Sequence, residues 1–339
     1  MSGSCPVIVT GVAGFVGSHV AQALLARGET VLGLDNINDY YDVRLKHARL
    51  DRLRPIPGFR FEKLDLADKE AVFAAFGQVP ETTKVIHLAA QAGVRYSMID
   101  PYAYVSANVM GHVTVLEAAR KLDRLEHLVY ASSSSVYGGN TELPFAEADR
   151  VDRPVSLYAA TKRADELISH AYWHLYGLKL TGLRFFTVYG PWGRPDMAYF
   201  SFAQAIMAGR PITLYENGEL KRDFTYIDDI VAGVLGCLDR PPGDGEPPLL
   251  FNIGNNRGER VAHLVELLER SLGRTAIIES KPRPVADVVE TCADLGAIEA
   301  HAGYRPTTPL SVGIPRFVEW FLGYYGNSMN PLDGGVPRL

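Results

Sequence analysis

The stretch Gly11-Val12-Ala13-Gly14-Phe15-Val16-Gly17 follows directly on the apolar run Val7–Thr10, and that junction constrains what the chain can fold into. Glycines at this spacing allow a tight turn, close approach of the main chain to a diphosphate, and close packing of the helix behind it. Apolar residues at Phe15, Val16, Val20, Ala23 and Leu24 carry helical spacing, so the turn opens a helix whose N-terminal N–H groups and dipole favour an anion. Strand, glycine turn and helix in this order begin a βαβ unit. Such a unit needs further parallel strands beside it and helices on both faces.

Those strands are legible downstream. Short apolar runs at residues 30–35, 59–65, 85–89, 128–132 and 180–186 alternate with longer amphipathic stretches, which predicts an α/β fold built on a Rossmann-type doubly wound parallel sheet. The texture changes at Gly190-Pro191-Trp192-Gly193-Arg194-Pro195, a loop-like run. A helix at 200–208, a strand at 212–215 and a Pro/Gly-rich linker at 241–248 follow, and they predict a second, smaller α/β substrate-binding lobe. Residues 222–226 and 251–254 read as strands returning to the first lobe. The expected division is therefore 1–186 plus about 222–256 for the dinucleotide-binding domain, about 187–221 and 257–326 for the discontinuous second lobe, and a loose tail at 327–339 rich in Gly, Pro and Asn.

Composition removes several function classes. A net charge of -5 without a Lys/Arg block argues against a nucleic-acid or anionic-membrane partner. No apolar run reaches the roughly 18 residues that span a bilayer, and no leader-like segment opens the chain. Cys5, Cys237 and Cys292 form neither a CxxC nor an even set, and the nine histidines show no HExxH spacing. We expect no disulfide framework, no catalytic metal and a reducing, cytoplasmic setting.

The chemistry is carried by Tyr158-Ala159-Ala160-Thr161-Lys162, preceded in sequence by Ser132-Ser133-Ser134-Ser135. Residues four apart share one face of a helix, so the ammonium lies near the phenol and favours its ionised form. A phenol of ordinary pKa about 10 then serves as a base near neutrality, with a serine hydroxyl, best placed at Ser133, bonded to the same substrate oxygen. This points to oxidation of an alcohol. Asp35, at the end of the second strand, supplies a carboxylate for both ribose hydroxyls of NAD and disfavours the 2'-phosphate of NADP. Asp65 and Leu66 follow the third strand, beside the adenine; Leu88, Ala89, Ala90 and Gln91 follow the fourth, where small residues let the cofactor pass. Capping of a turn is the competing account of Ser132 and Ser134.

Together, Gly11/Gly14/Gly17, Asp35, the segment Ser132-Ser133-Ser134-Ser135-Val136-Tyr137-Gly138, Tyr158/Lys162 and Arg184-Phe185-Phe186 resemble the extended short-chain dehydrogenase/reductase superfamily. More narrowly, four segments resemble UDP-glucuronate 4-epimerases. They are Asp35-Asn36-Ile37-Asn38-Asp39-Tyr40-Tyr41-Asp42, Gly93-Val94-Arg95-Tyr96-Ser97, Pro154-Val155-Ser156-Leu157-Tyr158 and the run from Thr187 through Arg194 to Met197. The resemblance implies a retained NAD and interconversion of UDP-glucuronate and UDP-galacturonate. Phe15, Val16, Asn36, Asn38, Asn108 and Phe185 complete the candidate cofactor set.

Related dehydratases and decarboxylases carry an acidic residue at the position of Ser135, so the serine run favours epimerisation. Thr187, Arg95 and Arg194 are candidates for the uronate end, since a short hydroxyl and guanidinium groups match a carboxylate, and Ser133, Ser134 and Ser135 are candidate substrate contacts. Met197 is placed with them at the substrate. Arg222 resembles the family's diphosphate-binding arginine, and Tyr215 is a candidate to pack near the uracil. Where relatives show a Pro-Gly-Asp turn this chain reads Arg283-Pro284-Val285-Ala286-Asp287, so Arg283 and Asp287 are candidate nucleotide contacts on a shifted pattern. The resemblance also implies a homodimer through helices at 102–121 and Leu157–Tyr176. A dehydrogenase that releases its cofactor, another UDP-sugar 4-epimerase and a UDP-glucuronate decarboxylase remain alternatives at this stage.

Overall fold

The protein is described by a computed structural model over residues 6–284 and 288–326. Six parallel strands form in succession: β1 (Val7–Thr10), β2 (Val31–Asp35), β3 (Phe59–Lys63), β4 (Lys84–His87), β5 (His127–Ser133) and β6 (Leu180–Phe185). The chain then leaves through β7 (Thr187–Tyr189), β8 (Pro211–Tyr215) and β9 (Lys221–Tyr226), and β10 (Leu249–Ile253) returns to pair with β6. The resulting seven-stranded sheet has the order β10-β6-β5-β4-β1-β2-β3. Strand order reverses at β1, so a crevice opens at the carboxyl ends of β1 and β4, where the glycine turn sits.

Alternation along each strand fills both faces. Val7, Val9 and Val129 join one core with helices α1 (Phe15–Ala26) and α2 (Val43–Leu53), while Ile8, Leu128 and Tyr130 join the other with α3 (Lys69–Gly77). The helix expected at 102–121 is instead broken into α4 (Pro101–Tyr104), a π-helical turn (Val105–Met110) and α5 (Gly111–Ala119). The widened turn accommodates Asn108, whose buried amide accepts from the Gln91 N–H at 2.7 Å and donates to Thr161 Oγ1 at 2.9 Å. By contrast α6 (Leu157–Tyr176) has the expected bounds, opened by Ser156, whose Oγ accepts from the Ala159 N–H, and closed by left-handed Gly177.

The second lobe departs from expectation at β9. Residues 222–226 do not enter the central sheet; β9 pairs parallel with β7 and antiparallel with β11 (Gly258–Arg260). A run of alternating polar and apolar residues does not say which sheet it joins. The return begins one element later, with α8 (Ile227–Leu238), which packs on α1 and β5. A further pair joins β8 to β12 (Ile277–Lys281); α7 (Ala198–Met207) packs on β8 and on α9 (Val261–Leu272), α11 (Leu310–Tyr325) packs on α9 and β9, and α10 (Gly296–Ala302) packs on α8 and β10. No helix among the described residues is long and apolar enough to cross a membrane.

One buried ion pair ties the chemical end of the sheet together. Glu166 of α6 accepts from Arg184 of β6 through both carboxylate oxygens, at 2.9 and 3.0 Å, and from Ser132 Oγ of β5 at 2.6 Å. Burial opposes the Glu166 charge, yet the Arg184, Ser132 and Arg163 donors outweigh it and hold its pKa below the usual carboxylate value. Glu166→Ala is expected to lose about 3–5 kcal/mol in urea unfolding, because the Arg184 guanidinium is left buried without its partner. The wild-type contribution is present above the unfolded carboxylate pKa and lost as pH falls through the lower folded one, so the gap between variant and wild type should narrow in acid.

Candidate active site

A cavity of about 1100 Å³ lies at the carboxyl ends of the central strands, between them and the second lobe. At its floor Gly11 has φ +72, and a Cβ there would stand 2.7 Å from the Ala89 nitrogen. A Cβ on Gly14 would meet the Gly11 carbonyl oxygen at 2.8 Å, and one on Gly17 would overlap it. The turn is thus closed to any side chain, and Gly14 caps α1 with no side chain to occupy its first N–H groups. Asp35 is held from below by the N–H groups of Ala13 at 3.0 Å and Ile37 at 2.8 Å, which leaves lone pairs toward the cavity.

The remaining dinucleotide candidates gather on the same wall. Phe15, Val16, Asn36, Asn38, Asp65, Leu66, Leu88, Ala89, Ala90, Gln91 and Phe185 all line the cavity. Asn36 donates to Asp65 at 2.9 Å, fixing the ends of β2 and β3 to one another. Gln91 Nε2 is buried without a protein acceptor. Asn108 is the exception: it stands behind the wall, gripping the Gln91 main chain, and does not line the cavity.

Tyr158 and Lys162 reach the cavity from α6, and Ser133, Ser134 and Ser135 reach it from the end of β5. Ser133 Oγ accepts from the Ser135 N–H at 3.2 Å, turning the chain, while its own hydroxyl proton stays available. Ser132 faces the opposite way, onto Glu166, so it is a structural tie. The Tyr158 ring stands edge-on to that of Tyr104, 6.0 Å between centroids, which fixes its plane. Lys162 Nζ donates to Asp165 Oδ2 at 2.7 Å.

Thr187, Arg95, Met197, Tyr215 and Arg222 line the far half of the cavity. Arg95 lies over the Tyr215 ring at 5.4 Å, and the Arg222 guanidinium reaches the Lys221 and Val289 carbonyls. Arg194 also faces the cavity, but Asp196 engages it through two oxygens at 3.1 and 2.5 Å. Its charge is matched by Asp196 within the wall. Arg283 is exposed and does not line the cavity, whereas the next residue, Pro284, does; Asp287 lies outside the described residues.

Three contributors escaped sequence reasoning. Lys46 of α2 is buried at the cavity edge, with Nζ bonded to Asn38 Oδ1; burial pulls its pKa to about 8 against the opposing charge of Asp35. Arg49, one turn on, has no exposed surface and binds the carbonyls of Ala13, Trp192 and Gly193, joining the glycine turn to the 190–195 loop. Asp196 was readable only as part of a loop, although an Arg two residues before an Asp was a signal for the pair. Among the described residues no group of His, Cys, Asp and Glu is arranged to hold a metal ion.

Comparison with known proteins agrees with this geometry. Residues 7–254 match the model of the NAD dependent epimerase/dehydratase family. UDP-glucuronate 4-epimerase 1 of Arabidopsis thaliana is 50% identical over 338 residues, covering 96% of this chain and 78% of the relative. UDP-glucuronate 4-epimerase 3 of the same plant is 51% identical, with 94% and 77% covered. Among solved structures, UDP-glucuronic acid 4-epimerase from Bacillus cereus, in complex with UDP-glucuronic acid and NAD, superposes with a TM-score of 0.87 at 30% identity, covering 94% of this chain and 100% of that one. With its glycine turn, its Tyr158/Lys162 helix and a family match over most of its length, the chain belongs to the NAD dependent epimerase/dehydratase family.

Proposed function

We propose that this protein is a UDP-glucuronate 4-epimerase, interconverting UDP-glucuronate and UDP-galacturonate with a retained NAD. The observation that carries the reading is the composition of the cavity around Tyr158 and Lys162. Its neighbours Ser133, Ser134, Ser135 and Thr187 are neutral hydroxyls, and the carboxylates on the cavity wall, Asp35, Asp65 and Asp196, are each engaged elsewhere. The identity of about half to UDP-glucuronate 4-epimerases selects the sugar.

The residues fit NAD. The side-chain-free turn at Gly11, Gly14 and Gly17 makes room for a diphosphate at the α1 N-terminus, Asp35 accepts from a ribose diol with Lys46 beside it, and Gln91, whose Oε1 accepts from Asn38 at 3.4 Å, lines the same space. When bound, NAD supplies reversible two-electron oxidation at the sugar carbon. Tyr158, as phenolate, takes the proton of the C4 hydroxyl and later returns it; Lys162 favours the phenolate, and Ser133 Oγ hydrogen-bonds the same oxygen. Arg222 binds the diphosphate and Tyr215 stacks beside the uracil, so the sugar can turn over while its nucleotide stays fixed. Ser134, Ser135 and Thr187 hold the carboxylate by neutral donors, away from the geometry in which a β-keto acid loses carbon dioxide. Without a carboxylic acid at 134 or 135 there is no group for water elimination. We take 187–226 and 257–326 as the substrate lobe.

The chain also presents a surface suited to a second copy of itself. Tyr102 of α4, Val105 and Met110 of the π-helical turn, and Leu167, Leu175 and Tyr176 of α6 are exposed apolar side chains on neighbouring helices. Two-fold pairing of these helices makes a four-helix bundle.

Purified protein given UDP-glucuronate with no added NAD should yield UDP-galacturonate on separation of UDP-sugars; a UDP-pentose, or no product with NAD present, would overturn the reading. Tyr158→Phe should lower kcat at least 100-fold, taken as about the contribution of one general base, while NAD content stays at the wild-type level. Leu167→Asp should convert a dimer to monomer in light scattering, and a wild type already monomeric would remove the dimer.

A further inference from the structure

We propose that Asp165 is a positioning residue for the Tyr158/Lys162 pair: its buried carboxylate anchors the Lys162 ammonium and, by its charge, sets the pH at which Tyr158 becomes a base. The inference rests on Tyr158 being the base of the epimerisation proposed above. On α6, Tyr158, Lys162 and Asp165 are spaced by four and three residues, so they form one stripe on the helix. Lys162 Nζ donates to Asp165 Oδ2 at 2.7 Å, and the two side chains are only 4% and 1% exposed. An ammonium has three donors; one N–H of Lys162 is spent on Asp165, and the residue also lines the cavity. The second carboxylate oxygen, Oδ1, is buried without a hydrogen-bond partner. A buried carboxylate with one oxygen unsatisfied is destabilising unless its charge is used.

The surroundings leave that charge unscreened. On α6 the neighbouring Glu166 is committed to Arg184 of β6, Ser132 of β5 and Arg163. From α5, His112 is held neutral by burial, with its Nε2 against Ser169 Oγ; from β4, His87 stacks on it and is pulled to about 3 by burial and then by the Lys162 charge. From β5, the Tyr130 phenol is pushed upward by burial, and on the cavity side the Tyr104 phenol behaves likewise. Burial lifts Asp165 itself to about 6 against the pull of Lys162, so near neutrality it is ionised. The field at Tyr158 is therefore that of an ammonium partly cancelled by an anion behind it.

Asp165→Asn keeps an oxygen for Lys162 and removes the charge. The acid limb of the kcat/KM profile for UDP-glucuronate should move down by about one pH unit, while Asp165→Glu should leave it in place. The near-ultraviolet tyrosinate absorbance of the holoenzyme, taken as the difference from Tyr158→Phe, should move by the same amount without any turnover. A limb and a titration unchanged in Asp165→Asn would overturn the inference. Failure of the wild type to epimerise would overturn the functional reading alone, since the tyrosinate titration still reports the electrostatic effect. Should Asp165→Asn not fold, wild-type holoenzyme labelled with lysine 15Nζ decides: a slowly exchanging ammonium signal, absent in Lys162→Met and shifting as a carboxyl titrates, supports the anchor. A signal exchanging as fast as surface lysines refutes it.

Discussion

The chemical end of this protein depends on the buried pair between Glu166 and Arg184. Glu166 is carried by α6, Arg184 by β6, and Ser132, which shares the same carboxylate, by β5. Three elements that meet at the cavity are thus fixed to one another by a charge removed from water. Such a pair is worth little against a well-packed apolar substitute but is highly directional once formed. Because α6 also carries Tyr158 and Lys162, and β5 ends in Ser133, Glu166 ties the element that carries the tyrosine to the one that carries the serine.

A second set of ties fixes the other lobe. Arg49 reaches from α2 to the carbonyls of Ala13, Trp192 and Gly193, so the glycine turn and the loop that starts the second lobe share one guanidinium. The same loop holds Arg194 against Asp196, with Tyr40 donating to Asp196 from the other side of the cavity. On the same cavity wall stand the hydroxyls of Ser133, Ser134, Ser135 and Thr187.

Much of this was legible in sequence because it rests on local chemistry. Gly14 and Gly17 are required by the Gly11 carbonyl within the same turn, Gly11 by its positive φ as well as by Ala89 at the end of the fourth strand, and Asp35 is placed by its position at the end of β2. The i, i+4 spacing of Tyr158 and Lys162 is a property of one helix, and the bounds of α6 follow from Ser156 and Gly177 at its ends. Where sequence reasoning went astray, the missing information was a partner distant in the chain. The helix expected at 102–121 is interrupted because Asn108 binds Gln91 and Thr161; residues 222–226 join Thr187–Tyr189 because the second lobe needs an inner strand.

The sequence by itself determined the βαβ order, the glycine turn, the Tyr158/Lys162 spacing and the absence of an acid at Ser135, since each follows from side-chain type and spacing along one element. Tertiary structure alone decided which charges are free: it paired Arg194 with Asp196, moved Asn108 behind the wall, brought Lys46 to the cavity edge and set Asp165 against Lys162. The physical reason is that a residue's reactivity depends on burial and on the charges within a few ångströms, and those neighbours come from segments that only the folded chain brings together.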